Sequence, residues 1–358
     1  MNKENIVESR AYQLTEPWQF KETTLKHHVN EGEVVVKTSM VSICHADLRY
    51  YTGQRRKEAL ERKLPMALFH EGIGKVVTSK NDSVYSGQRV VIVPNIPGRL
   101  IEPDSENPEG RDVADNYSEN SVFLGSGFDG IGQEYLVLPG ENVTPIPDEI
   151  PDDIAVLAEL NSVSYQALRN VGEELDDGKV AVFGDGPLGY LTAAMLSHVY
   201  KIERSNLIVF GAIDEKLAHF DFATTFNVKK SDFSSFRGVT TVVECTGGKF
   251  SESAINQAIE LIEPQGRLVL MGVSEERVPI NTRDVLEKGL KIYGTSRSTS
   301  DDFKQLMLLF RDADYQNTLS KLLPDQHDSI ENVDGLKDAM DRTTEHKGWK
   351  KAILEFKW

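Results

Sequence analysis

Residues 179–196 read KVAVFGDGPLGYLTAAML: a short β-branched run, three glycines, then apolar residues at helical spacing. In a G-x-G-x-x-G turn between strand and helix, Gly184 makes the tight turn and Gly186 lets the backbone approach a pyrophosphate closely. Gly189 lets the helix pack against the strand. Pro187 and Leu188 fill the two positions between the last glycines, and the amides at the helix start face the anion. Leu188, Leu191, Met195 and Val199 then fall along one helical face. Such a turn belongs in a series of βα units, and the chain supplies them: NLIVF, TTVVEC, RLVLMGV and LKIYG are short apolar strands with helix-compatible stretches between most of them. The alternation predicts a parallel, doubly wound α/β sheet.

The second strand bears on which dinucleotide the turn would hold. Where NAD is preferred, an acidic residue ending that strand accepts from the ribose hydroxyl. NLIVFGAIDEK ends its strand at Gly211 instead. No carboxylate there repels a 2′-phosphate, and Lys216 is positioned to reach one, which favours NADP(H). The alternative is that Gly211 is only a turn and that Asp214 supplies the ribose contact.

Before this region the texture is different. From Glu33 to about Pro147, the runs EVVVKTSMVSI, GIGKVV, GQRVVIVP and EYLVLP are separated by Gly, Pro, Asn and Asp turns, as expected of a partly open β-barrel. Residues 96–116, IPGRLIEPDSENPEGRDVADN, read as a surface excursion. After Ser298, DDFKQLMLLF is helical and KKAILEF is a final strand expected to return to the first domain. A chain of 358 residues exceeds the usual ~100–200 per domain, and the expected division is 1–152, 153–297 and a returning 298–358.

A formal net charge of −16 disfavours nucleic acid and anionic membranes as partners. It also means that an anionic substrate needs a local basic pocket. No apolar run approaches ~20 residues and the N-terminus lacks the apolar core of a secretory signal, so a cytoplasmic location is expected.

With two cysteines, Cys44 and Cys245, neither a disulfide framework nor a four-thiolate zinc site is available. Cys245 lies in an apolar strand and reads as a buried small side chain, and His27 and His28 read as solvated. Cys44 is different, because it opens the cluster CHAD. A catalytic zinc needs about three N, S or O ligands and an open position. Cys44, the pair His70–Glu71 in ALFHEGIGKVV, and Glu159 in VLAELNSVSYQAL offer thiolate, imidazole and carboxylates. Asp47 is placed to hold the second nitrogen of His70 and fix its tautomer.

The order Cys-x-x-Asp, Phe-His-Glu-Gly, an acidic segment and then G-x-G-x-x-G resembles the medium-chain zinc-dependent alcohol and polyol dehydrogenases over nearly the whole chain. More narrowly, ICHADLRYYTG, KLPMALFHEGIG, FGDGPLGYLTA, ECTGG, SAINQAI and INTRDVLEKGLKIYGTSRS are similar to the ribulose-5-phosphate reductases, which make ribitol 5-phosphate for wall teichoic acid or capsule. The resemblance implies a GroES-like catalytic domain, a Rossmann cofactor domain, and one catalytic zinc on Cys44 and His70. Glu159 ranks ahead of Glu71 in completing its shell. His45 matches a basic position near the cofactor pyrophosphate.

Two features depart from that family. The four-cysteine structural zinc lobe is replaced by the acidic excursion. Ala46 stands where relatives often carry a relay hydroxyl, which leaves the proton to a metal-bound water, Glu71 or Tyr50. For the substrate phosphate, Arg49, Arg55, Arg56 and Lys57 are candidates, with Arg283 and with Arg297, which is alternatively a cofactor contact. The resemblance also implies a homodimer that works with a ribitol-5-phosphate cytidylyltransferase. The competing expectations are a dehydrogenase of an unphosphorylated polyol or alcohol, and a nucleotide-binding protein that kept the fold without the chemistry.

Overall fold

The computed structural model describes residues 5–101, 113–172, 175, 178–345 and 348–358. The chain divides into two compact units. Unit 1 comprises Met1–Glu159, Arg297–Arg311 and Leu323–Trp358; unit 2 comprises Leu160–Ser296 and Asp312–Leu322. Residues 102–112 of the acidic excursion lie outside the described residues.

Unit 2 is built on six strands: Lys179–Phe183, Leu207–Gly211, Thr224–Asn227, Val239–Glu244, Arg267–Leu270 and Lys291–Gly294. Counted in chain order they lie 3-2-1-4-5-6 across the sheet, all parallel. In that arrangement the first and fourth strands are neighbours where the winding reverses, and ligands bind beyond the carboxyl ends of the strands. The G-x-G-x-x-G turn follows the first strand, where that rule puts it. Val180, Val182, Val209, Val242 and Val243 are fully buried or nearly so, as strands covered on both faces require. Phe183 stacks on Phe210 and Phe233, which meet each other at a tilt, with centroids 4.8–5.8 Å apart. Residues 312–322, part of the tail expected to return to the first domain, cluster with unit 2 instead: Tyr190 Oη donates to Thr318 O (3.0 Å), and Asn161 Nδ2 to Tyr315 Oη (3.0 Å).

Unit 1 centres on the strand Glu33–Ser42, which pairs antiparallel with Glu71–Ser79, Tyr135–Pro139 and Ile353–Phe356. The final strand therefore lies beside the segment leading to Cys44, with Asp328–Ile330 paired on its far side. A hairpin of Ile6–Glu16 and Gln19–His28 precedes these strands and was not read from the sequence. Its buried residues Ser9, Ala11, Tyr12 and Leu14 are interrupted by Arg10 and Gln13 and include a serine, so no apolar run announces it. His27, expected to be solvated, is half-buried with Nε2 2.6 Å from Gln133 Oε1. Among the described residues no helix is long and apolar enough to cross a membrane.

Candidate metal centre and dinucleotide turn

Cys44 is the residue that starts the helix His45–Tyr51. Its backbone N–H donates to Asp47 Oδ2 (2.9 Å), the local bond that a carboxylate three residues into a helix is suited to accept. The other oxygen of Asp47 accepts from Phe69 N (3.2 Å) and lies 3.6 Å from His70 Nδ1. One fully buried carboxylate thus ties the Cys44 turn to the residues entering the strand Glu71–Ser79. Phe69 itself has φ of 75°, and Gly125 and Gly130 press against its backbone so closely that a Cβ on either would collide with it. The Phe123 ring covers the other side of His70, centroid to centroid 5.4 Å.

These constraints bring one donor atom each of Cys44, His70 and Glu71 within 4.8 Å of one another. Glu71 is completely buried, and its Oε1 has no hydrogen-bond partner among the described residues. Its Oε2 lies 2.8 Å from Lys351 Nζ, which also donates to Ile43 O (2.9 Å). Lys351 is itself buried and arrives just ahead of the last strand, Ile353–Phe356. Glu159, on the helix Ala158–Arg169, is buried beside this group but is not part of the closest triad.

The electrostatics follow from packing ionisable groups together out of water. Burial pushes the Cys44 thiol up, Glu71 adds to the shift, and His70 and Lys351 oppose it. Burial disfavours a charge on His70, yet the Asp47 carboxylate and Cys44 outweigh it and raise His70 well above its ordinary value. Lys351 is raised in the same way by Glu71. Glu159 is pushed up to about 7, chiefly by burial, with Glu71 adding to the shift and His70 opposing it. A thiol and three carboxyls face one imidazole and one ammonium. Such a set, with a carboxylate oxygen left unsatisfied, suits a divalent cation, and thiolate with imidazole selects zinc over calcium or magnesium.

In unit 2 the turn has the geometry its sequence requires. Gly184 has φ of +136°, a Cβ on Gly189 would run into the Gly184 carbonyl, and the helix Pro187–His198 begins with Gly186 as its cap and Pro187 in its first turn. At the end of the second strand, Asp185 fills the space over Gly211: a Cβ there would lie 2.8 Å from Asp185 Oδ2. That oxygen accepts from the Ala212 and Ile213 amides at 2.7 and 2.9 Å. Asp214, the alternative ribose contact, is bound by Asn227 Nδ2 (2.6 Å) and Lys230 Nζ (2.7 Å). Lys216 lies on the next short helix, Asp214–Leu217.

The remaining basic candidates separate by environment. His45 titrates below its ordinary value through burial and the charges of Arg49, Lys351 and Arg55, which identifies these groups as electrostatic neighbours. Arg55 lies over the Tyr50 ring, 4.8 Å from its centroid. Arg56 is exposed, and exposed Lys57 is 3.7 Å from Glu61. Arg283 pairs with Glu287 at 2.8 Å on an exposed helix. Arg297 clusters with unit 1, donates to Asn95 Oδ1 (3.2 Å) and Ser121 Oγ (2.8 Å), and lies 5.4 Å from the centroid of the Phe123 ring that packs on His70. Sequence reasoning missed Lys351 and Asp185. The first carries no local motif, and the second was visible only as an acidic residue inside the glycine turn.

Residues 30–148 match the alcohol dehydrogenase GroES-like domain and residues 211–312 the zinc-binding dehydrogenase domain. The chain is 39% identical over 357 residues to ribulose-5-phosphate reductase 1 of Staphylococcus aureus, covering 98% of this chain and 99% of that protein. It is 39% identical over 298 residues to the ribulose-5-phosphate reductase of Bacillus spizizenii, covering 82% and 84%. The crystal structure of S. aureus TarJ in complex with NADPH matches at 34% identity and a TM-score of 0.83, covering 98% of this chain and all of that one. With its fold, its donor set and these similarities in agreement, the chain belongs to the zinc-dependent medium-chain dehydrogenases, in the ribulose-5-phosphate reductase group.

Proposed function

We propose that the chain reduces D-ribulose 5-phosphate to D-ribitol 5-phosphate with NADPH, supplying ribitol phosphate for a teichoic acid or capsule polymer. The observation that carries this reading is the convergence of Cys44, His70 and Glu71 within 4.8 Å, in a chain nearly co-extensive with ribulose-5-phosphate reductases. When bound, the zinc ion supplies a Lewis acid for the ketone oxygen and NADPH supplies the hydride.

The chain's own residues supply the rest. Cys44, His70 and the carboxylates of Glu71 and Glu159 hold the ion, and Asp47 keeps His70 in the orientation that leaves its other nitrogen for the metal. Lys351 Nζ, 2.8 Å from Glu71 Oε2, sets a positive charge against that buried carboxylate. Unit 1 is the catalytic domain and unit 2 the cofactor domain in this reading. Gly184, Gly186, Pro187, Leu188 and Gly189 cradle the pyrophosphate, with His45 as a hydrogen-bonding partner whose lowered titration disfavours a fixed charge. Gly211 brings no carboxylate of its own to the 2′-phosphate, the Asp185 carboxylate above it is engaged by the Ala212 and Ile213 amides, and Lys216 pairs with the phosphate. Ala46 carries no hydroxyl, so the proton reaches the product oxygen from another group. Arg49 and Arg55, half-buried near one another, attract the substrate phosphate; exposed Arg56 contributes long-range field, and Arg297 orients Phe123 against His70.

The test is NADPH oxidation with ribulose 5-phosphate, ribulose or xylulose 5-phosphate, with and without a chelator. The reading expects chelator-sensitive turnover that is fastest with ribulose 5-phosphate; equal rates with ribulose would overturn it. A homodimer in the cytoplasm, working with a ribitol-5-phosphate cytidylyltransferase, completes the proposal. It rests on the family resemblance, and light scattering on the purified protein checks the dimer.

A further inference from the structure

One cluster in unit 1 is left unexplained by the metal centre. Lys63 Nζ donates to Tyr50 Oη at 3.0 Å and to Ser126 Oγ at 3.1 Å, and the two hydroxyls are 3.2 Å apart. The triangle draws on three separate segments: the helix His45–Tyr51, the end of the helix Lys57–Lys63, and the loop that follows Phe123. Gly127, with φ of +99°, leaves its side-chain space to the stem of Lys63, whose Cγ and Cε would lie 3.4 and 3.5 Å from a Cβ there. The Arg55 guanidinium covers the Tyr50 ring.

A lysine in the last turn of a helix is ordinary, since it complements the helix dipole. Its choice of partners here is not. Many lysines and arginines of this acidic chain pair with carboxylates, as Lys337 does with Asp341 and Arg342 with Asp328. Among the described residues, the Lys63 ammonium has two hydroxyl partners and no carboxylate. Burial alone would raise the phenol of Tyr50, yet it titrates below its ordinary value, because hydrogen bonds from Lys63 and Ser126 and the charges of Lys63 and Arg55 outweigh burial. The local potential is therefore positive. Each of the three groups carries a hydrogen it can donate, and the two hydroxyls can turn toward an incoming acceptor.

The cluster also lies on the segments that carry the metal donors. Tyr50 is six residues beyond Cys44 on the same helix, about 9 Å along its axis. Ser126 is three residues beyond Phe123, whose ring packs on His70. The next residue, Gly127, donates to Met66 Sδ (2.9 Å), on the approach to His70.

We propose that Lys63, with the hydroxyls of Tyr50 and Ser126 and the guanidinium of Arg55, binds the phosphate of the sugar phosphate substrate and so sets the preference for phosphorylated over free ketose. The inference rests on the reductase reading above. A tetrahedral dianion takes N–H and O–H donors and rejects carboxylates, which matches both the donors present and the acidic partner that Lys63 lacks. It extends the sequence-based candidates, arginines and Lys57, to a further lysine and two hydroxyls.

The test uses the full-length, zinc-loaded enzyme with saturating NADPH. Lys63→Met should lower kcat/KM for ribulose 5-phosphate about 10- to 100-fold more than for ribulose, mainly through KM, the range expected for a lost charged hydrogen bond. Inorganic phosphate, as a competitive inhibitor, should weaken in parallel, and Lys63→Arg should restore part of both. Ser126→Ala, a smaller change in a loop, should act in the same direction and covers the case in which Lys63→Met fails to fold. Equal losses on ribulose and ribulose 5-phosphate, with phosphate inhibition intact, would overturn the proposal and make the cluster a proton donor or a structural brace. Wild-type enzyme with no activity on ribulose 5-phosphate would sink the reductase reading instead.

Discussion

Gly184 and Gly189 meet within six consecutive positions, and the physical demand on each is local: a positive φ at one, no room for a Cβ at the other. Cys44, His70, Glu71 and Lys351 meet only because the strand Glu33–Ser42 has Glu71–Ser79 on one side and Ile353–Phe356, from the end of the chain, on the other. The first region is specified by residue type in one short stretch. The second depends on strand pairing across the length of unit 1, with Asp47 and Lys351 as the ties. Damage to the dinucleotide turn should therefore stay local, while damage to the metal centre should reach both chemistry and folding.

The sharpest way to break this contrast is His70→Ala. Metal-ion polarisation supplies several kcal/mol of transition-state stabilisation, so kcat should fall on the order of 10³-fold or more, while NADPH affinity measured by fluorescence titration holds. A parallel loss of NADPH binding would show that the two regions are not separately encoded.

Lys351→Met tests the long-range tie. It leaves Glu71 as a buried carboxylate without its counter-charge, a loss of about 3–5 kcal/mol in the metal-free protein by urea unfolding. Added zinc should recover part of it, since the ion supplies the missing positive charge. No zinc-dependent recovery would place Glu71 outside the metal's reach.

Gly189→Ala addresses the local region. The new methyl runs into the Gly184 carbonyl, and overpacking of this kind costs about 1–3 kcal/mol. NADPH affinity should drop and zinc content, read by elemental analysis, should not. The smallest effect is expected at Asp312, which caps the helix Ala313–Ser320 by accepting from Tyr315 N (3.0 Å). Asp312→Ala should cost about 1 kcal/mol. That hydrogen bond holds the Asp312 carboxyl below the usual range, so its contribution is present above the ordinary carboxyl pKa and fades as pH falls through the lowered one. Thermal melts of variant and wild type should converge in acid.

How much was legible follows the same division. Five of the six parallel strands and their glycine turn could be read because β-branched runs covered on both faces and glycines at fixed spacing are properties of short windows; the sixth, Thr224–Asn227, is only half-buried and offers no apolar run. Cys44, His70 and Glu71 could be nominated by type, and their meeting could be inferred from the family pattern. Lys351 could not: in KGWKKAILEF it is one of three lysines with nothing local to distinguish it, and its role exists only once Ile353 pairs with Ser42. Lys63 was hidden for the same reason. The hairpin Ile6–His28 was missed because its buried residues Ser9, Ala11, Tyr12 and Leu14 are broken by Arg10 and Gln13, a sequence too polar to stand out.

Zinc K-edge absorption spectroscopy on the metal-loaded enzyme and on Cys44→Ser tests the central claim most directly. The account predicts one ion per chain with a single sulfur at about 2.3 Å among nitrogen and oxygen ligands, and loss of that sulfur shell in the variant. A wild-type spectrum with no sulfur in the shell, or one unchanged by Cys44→Ser, would contradict it.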